Sequence, residues 1–200
     1  LEGQVAGWIG VCHAGPVEQG EELVTALKAF GPPTMDFIGH SDYAAQNTMF
    51  DAGAANPSRN YWRSSFVREL PDDQIDSFIA FADEMPQPAS MLLIEHMGGA
   101  IGRVGEQETA FSSRSANYNV SILSSWMDAA DDEAFIPWTR SAGDEIREYS
   151  DGGAYVNYMA DDEGAANVRA AYEANFERLV EVKRKYDPDN FFSSNQNIRP

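Results

Sequence analysis

Two strand-like runs, residues 90–97 and 117–126, follow one another with no helix between them, and this pairing limits the fold more than any other feature. Parallel neighbours need a crossover of a dozen or more residues, usually helical, whereas antiparallel neighbours are joined by turns and loops. The connection here is punctuated by Gly98, Gly99, Gly102 and Gly105, so it reads as a turn-rich excursion between antiparallel partners. Three further runs have strand character: residues 5–11, short, apolar and bounded by glycine, residues 60–67, and residues 154–159.

Helical spacing separates these strands. Leu23, Ala26, Leu27 and Phe30 define one helix, with Glu18, Glu21 and Glu22 at its start and Gly31-Pro32-Pro33 at its end. A short helix is expected over residues 43–50. Pro71-Asp72-Asp73 opens another, whose apolar face is Ile75, Phe78, Ile79 and Ala82. An acidic loop precedes a helix running to about Tyr149, and Val168, Ala171, Tyr172, Phe176, Leu179 and Val182 mark one long final helix stopped by Tyr186-Asp187-Pro188. The expected class is α+β: a mainly antiparallel sheet with helices packed on one face. No repeat or Pro/Ser-rich linker interrupts the chain, so the pieces are expected to pack as one unit.

With 43% apolar and 12% aromatic residues, 200 residues can bury a sizeable core. A formal net charge of −18 argues against nucleic acid or an anionic membrane surface as partner, because both would be repelled. Cys12 stands alone, which excludes an intramolecular disulfide and suits a small buried residue on the first strand. No apolar run approaches the roughly 20 residues of a membrane-spanning helix. The chain opens almost directly on a strand-like run with no basic leader, as expected of a piece of a longer polypeptide.

Two stretches exceed ordinary punctuation. One is Gly153-Ala154-Tyr155-Val156-Asn157-Tyr158 with Asp161 and Asp162; the other is the tail, with Tyr172, Asn175, Arg178, Lys183, Tyr186-Asp187-Pro188, Asn190, Phe192 and Asn195-Gln196-Asn197-Ile198. In order and spacing they are similar to the C-terminal signature of berberine-bridge-type FAD-linked oxidases. Gly98-Gly99-Ala100, Arg103-Val104, Thr109-Ala110-Phe111, Arg114 and Trp126 resemble the middle of that family's substrate domain. The resemblance implies a partial substrate-binding domain over residues 1–152 and a berberine-bridge-type C-terminal segment over 153–200. It also implies FAD as cofactor, held by an N-terminal FAD domain of the same polypeptide that these residues do not match, and a small-molecule substrate. Apolar surface left uncovered by a missing flavin domain favours self-association of the fragment.

Hydride transfer from an alcohol or amine to a flavin requires a base and groups that fix the reacting carbon. By resemblance the catalytic candidates are Tyr158 first and Tyr155 next. A phenol near pKa 10 is a poor base at neutral pH unless its surroundings lower that value. On a strand, Tyr155 and Asn157 face one side and Tyr158 the other, so the two tyrosines would not share a role. Asn157, Asn195 and Asn197 suit the polar edge of the flavin, since amides both donate and accept. In residues 117–126 this family often carries a carboxylate, glutamine or lysine facing the flavin. Those positions fall here on Asn119 and Ser121, two apart and on one face, as substrate-binding groups. Serine cannot replace a carboxylate as base, so a mechanism needing an acid on this strand is in doubt.

His13, His40, Glu95 and His96 match no helical or hairpin ligand spacing, and metal binding is not expected. The glycines after His96 lack a P-loop lysine, no serine lies in a nucleophile elbow, and Arg63, Arg68, Arg103, Arg114 and Arg140 read as scattered surface or ion-pairing groups. Phe191-Phe192 is expected to be turned into the core by the Asp187-Pro188 turn. The rival reading is a non-catalytic α+β binding or dimerisation module.

Overall fold

A computed structural model describes residues 6–51, 58–86, 90–150 and 152–200. The chain divides into two compact units, Leu1–Asn56 and Pro57–Pro200, rather than the single unit expected from the absence of a linker. The division follows which segments pack on one another, and composition does not mark it.

In the first unit, α1 (Val17–Ala29) and α2 (Tyr43–Asn47) form where helical spacing and caps place them. Asp42 caps α2 by accepting from Ala45 N at 2.9 Å. Val5 lies outside the described residues; residues 6–11 are irregular and exposed, not a strand. A strand needs a neighbour for its backbone donors and acceptors, and no strand is described in this unit to provide one. Cys12 is accordingly exposed, contrary to expectation.

The second unit is built on a three-stranded antiparallel sheet: β1 (Arg59–Val67), β2 (Met91–His96) and β3 (Tyr118–Trp126), in the order β1-β3-β2. Two helices, α3 (Asp72–Asp83) and α4 (Asp132–Glu148), supply the apolar cover of one face. Val67, Val120 and Ile122 from the sheet meet Phe78 of α3 and Ala142 and Ile146 of α4 in the main core. The class is α+β, as the strand order anticipated. The charges of α4 follow its dipole, with Asp132 and Glu133 in the first turn and Arg147 in the last. Thr139 bonds Ser124 at 2.6 Å and satisfies the polar pair that α4 buries against β3.

The face of α3 is shifted from the expected one. Gln74 and Phe78 are buried while Ile75 and Ile79 are exposed. Gln74, Phe78 and Phe81 form an i, i+4, i+7 stripe, and Phe81 packs edge-on against Trp138 of α4, which decides which of two apolar stripes turns inward.

Residues 154–159 are not a strand. They close a 3-10 turn, Val156–Tyr158, in which Tyr158 N bonds Tyr155 O at 2.8 Å, so the backbone pairs with itself. The long final helix is also broken, into α5 (Gly164–Tyr172), a 3-10 turn at Glu173–Asn175 and α6 (Phe176–Tyr186). Glu173 sits at φ 46°, a conformation a helix interior cannot contain. The break lets buried Asn175 donate to Glu106 O at 2.7 Å. Beyond α6, Asp187 accepts from Phe191 N and Phe192 N and pairs with Lys183. This turn points Phe191 and Phe192 outward, 82% and 75% exposed, instead of into the core.

Candidate active site

The face of the sheet opposite α3 and α4 is polar and aromatic. Register fixes its rows: Phe66 of β1 lies opposite Asn119 of β3, which lies opposite Glu95 of β2; Ser64, Ser121 and Leu93 form the next row. Directly opposed residues in an antiparallel sheet share a face, so Asn119, Ser121 and Glu95 all point away from the helices.

Over this face lies a chain of five rings in edge-to-face contact. Phe66 meets Phe111, Phe111 meets Tyr155, Tyr155 meets Tyr158 at 5.2 Å between centroids, and Tyr158 meets Trp62. Edge-to-face geometry is the preferred packing of aromatic quadrupoles. Tyr155 N also donates to Ser64 Oγ at 3.2 Å, which ties the 3-10 turn to β1. In such a turn residues three apart lie on one side, so Tyr155 and Tyr158 are neighbours; the opposed orientation expected of a strand does not occur.

Tyr155, Asn157, Asn119 and Glu95 line one cavity of about 590 Å³, together with Phe111 and Arg114. Asn157 donates to the Tyr155 hydroxyl at 2.8 Å. Tyr158 reaches the same cluster from the side: its hydroxyl donates to Glu95 Oε1 at 3.4 Å, while Asn119 Nδ2 donates to Glu95 Oε2 at 2.7 Å. Burial, then the charge and hydrogen bond of Glu95, and finally Tyr155 push the Tyr158 phenol up to about 12. Tyr158 therefore keeps its proton and acts as a donor.

Ser121 is fully buried one row further along, and Ser121 Oγ and Asn119 Oδ1 have no hydrogen-bond partner among the described residues. Asn195 and Asn197 do not line the cavity. They belong to the tail, where Asn195 adopts φ 55°, Asn197 N bonds Asn195 O, and Gln196 donates to Met159 O. Glu95 is the site residue that sequence reading missed. Its weight comes from lying opposite Asn119, which only the register reveals.

Beside this cluster Tyr61, Arg63, Arg140 and Asp162 converge. Asp162 accepts from Tyr61 at 2.7 Å, Arg63 at 2.9 Å and Arg140 at 2.6 Å. Burial opposes ionisation of Asp162, but these three donors outweigh it and hold the carboxyl well below its usual range. Arg63 and Arg140 are thus not scattered, and they clamp the segment following Tyr158 onto β1 and α4. Arg63 itself is buried, with its Cβ stem against Gly143 of α4.

A sheet with one face sealed by helices and the other left polar beneath an aromatic cover defines an α+β domain with a cavity on its open face. Residues 154–199 match the family described as Berberine and berberine like. An FAD-linked oxidoreductase of Dictyostelium discoideum is 26% identical over 94% of this chain and 41% of its own length. YvdP of Bacillus subtilis (strain 168), described as an uncharacterized FAD-linked oxidoreductase, is 30% identical over 96% of this chain and 44% of its own. The chain resembles a solved variant of Physcomitrella patens BBE-like 1 with TM-score 0.71 at 20% identity, over 93% of this chain and 43% of that one. Over most of its length the chain is thus similar to FAD-linked oxidoreductases, and its residues 154–199 carry the segment that defines the berberine and berberine like family, whose relatives use FAD as cofactor. It spans roughly two fifths of the length of the first of these curated relatives.

Proposed function

We propose that this chain is the substrate side of an FAD-dependent oxidoreductase that oxidises an alcohol, sugar or secondary metabolite by hydride transfer. Residues 1–152 form a partial substrate-binding domain in this reading, and residues 153–200 the berberine-bridge-type segment that covers it. The observation that carries it is the gathering of Tyr155, Asn119 and Glu95 around one cavity, with Tyr158 bonded to Glu95. Perturbed titratable groups converging on an apolar-walled cavity are the ordinary signature of a reaction site.

The residues fit a flavin. Asn119 Oδ1 and Ser121 Oγ are buried without partners, and an acceptor and a hydroxyl side by side suit the mixed donors and acceptors of a flavin or substrate edge. FAD, when bound, supplies the hydride acceptor. Tyr155 and Tyr158 frame the reacting carbon, with Tyr158 donating a hydrogen bond. Asn119 and Ser121 bind substrate, and Asn157, Asn195 and Asn197 serve the cofactor side. The partners are a small-molecule substrate and an N-terminal FAD domain of the same polypeptide. Exposed Phe191 and Phe192 offer that domain an apolar contact.

The test is the absorption spectrum of the full-length polypeptide, before and after acid denaturation. Flavin bands are expected, and colour that stays with the denatured chain marks covalent attachment. A colourless protein that does not take up FAD refutes the reading and leaves the non-catalytic module.

A further inference from the structure

Arg114, in the loop before β3, lines the cavity and is held there by uncharged groups. Its two terminal nitrogens donate to Ile101 O at 3.2 Å and to Thr109 Oγ1 at 2.6 Å, and the guanidinium lies over the Phe111 ring, 4.7 Å from the centroid. Two of the five N–H donors of a guanidinium are thus used and three remain, with Arg114 Nε buried and without a hydrogen-bond partner among the described residues. Its charge is left over as well. Arg63 and Arg140 both pair with Asp162, whereas among the described residues no carboxylate comes within ion-pairing distance of Arg114. The nearby acids are engaged elsewhere: Glu95 accepts from Asn119 and Tyr158, Glu108 from Gly105 N at 3.1 Å, and Glu173 from Ser113 Oγ at 3.3 Å. A cation kept in an apolar wall without a counter-charge is costly until a ligand supplies one.

We propose that Arg114 is a specificity-determining residue, which binds the carboxylate of an aromatic substrate through the donors that Ile101 and Thr109 leave free. The inference rests on the oxidoreductase reading above and narrows its substrate class. Ile101, Ala110 and Phe111 line the cavity with Arg114, and Phe66, Tyr155 and Tyr172 complete a ring-rich wall that suits a planar aromatic body. A neutral sugar would leave the guanidinium uncompensated, while a carboxylate meets it in a charge-assisted contact, the strong kind of hydrogen bond. With a net charge of −18 the general field of the chain repels anions, so a specific contact has to bring one here. Phe111 carries the guanidinium against its ring and also packs on Tyr155, so the anion site and the tyrosines share one ring. That shared ring orients a substrate anchored at Arg114 relative to Tyr155. The alternative role of Arg114, stapling residues 101–109 to the start of β3, acts on charged and neutral ligands alike.

The experiment uses isothermal titration calorimetry on the full-length polypeptide with 4-(hydroxymethyl)benzoate and its methyl ester, two probes that differ by one charge. The wild type is expected to bind the acid about 10- to 100-fold more tightly than the ester. Arg114→Met should abolish that ratio and leave the affinity for the ester near the wild-type value. Arg114→Lys, which keeps the charge and loses the planar fork, should retain part of it. If Arg114→Met does not fold, the ratios of the wild type and Arg114→Lys still decide. Equal affinities in the wild type, an acid that does not bind, or a ratio unchanged in Arg114→Met each overturns the inference. So does a loss in Arg114→Met that is the same for acid and ester, which marks the stapling role alone. A full-length polypeptide that holds no flavin is a failure of the oxidoreductase reading itself, whereas the calorimetric ratio judges the anion site with or without flavin.

Discussion

Arg63→Met tests the ion cluster that ties residues 162–163 to the sheet. The replacement keeps most of the apolar stem that Gly143 accommodates and removes the guanidinium. Arg63 pairs with Asp162 at 2.9 Å and with Glu163 at 3.5 Å. The two carboxylates differ in what they lose. Asp162 keeps Arg140 at 2.6 Å and is 40% exposed, so water and a second cation compensate. Glu163 is 3% exposed, and its other cation, Arg147, stands 4.0 Å away. Stranding a buried charge costs about 3–5 kcal/mol.

The expected loss is therefore about 3–4 kcal/mol, the lower part of that range, because Arg147 and Asn167 stay beside Glu163. At a urea slope of about 2 kcal/mol per molar, the midpoint should fall by about 1.5–2 M at pH 7. Arg63→Met combined with Glu163→Gln should recover much of the loss, since no charge is then stranded. A midpoint shift below about 0.5 M, or a double variant no better than the single one, would refute the argument that a stranded Glu163 carries the cost.

Gly143→Ala places a methyl 2.7 Å from Arg63 Cβ and 2.8 Å from its Cγ, neither of them the free end of a flexible chain. Overpacking should outweigh the helix-propensity gain of about 1 kcal/mol and leave a net loss of about 1–2 kcal/mol, measured by urea unfolding. Asp162 is held below its ordinary 3.8, so between that value and the folded one the unfolded chain binds more protons than the native one. Stability from this group should be fully present above about pH 4, fall as pH drops further, and be flattened in Asp162→Asn, as read from acid unfolding curves. Ser121→Ala removes a buried hydroxyl without a partner and should be neutral or stabilising by up to about 1 kcal/mol while weakening substrate binding. A loss above about 1 kcal/mol in thermal unfolding counts against that account of Ser121.

The strands and helices of the second unit were legible because their periodicities are local. Residues 60–67 and 117–126 alternate, and the acidic starts of α3 and α4 mark their first turns. The Tyr155-Val156-Asn157-Tyr158 run also alternates in sequence, yet it closes on itself because its rings pack edge-on across the sheet while Ser64 takes the Tyr155 backbone donor. Tertiary packing chose between two local patterns of similar merit. The helix after Gly164 likewise carries a continuous apolar stripe, but Asn175 is drawn to the Glu106 carbonyl, 69 residues earlier. Asn119 and Ser121 share a face as their alternation implies, whereas Tyr155 and Tyr158, expected on opposite sides, are neighbours. The Glu95 contact and the Arg63–Asp162 pair were not legible, because each joins segments whose mutual register no single segment encodes.

That register binds the site to the fold. Glu95 faces Asn119 across β2 and β3 in the same pairing that places Ile122 opposite Leu92, in the core beneath α4. A slip of one residue would turn Glu95 toward the helices and bring Ile94 or His96 onto the polar face. The apolar face resists such a slip because Val120 and Ile122 are fully buried there. The burial that stabilises one side of the sheet thus holds the carboxylate in place on the other. The polar face itself can remain incompletely satisfied, with Ser121 and Asn119 lacking partners, because the helices on the far side already fix the strands that carry them.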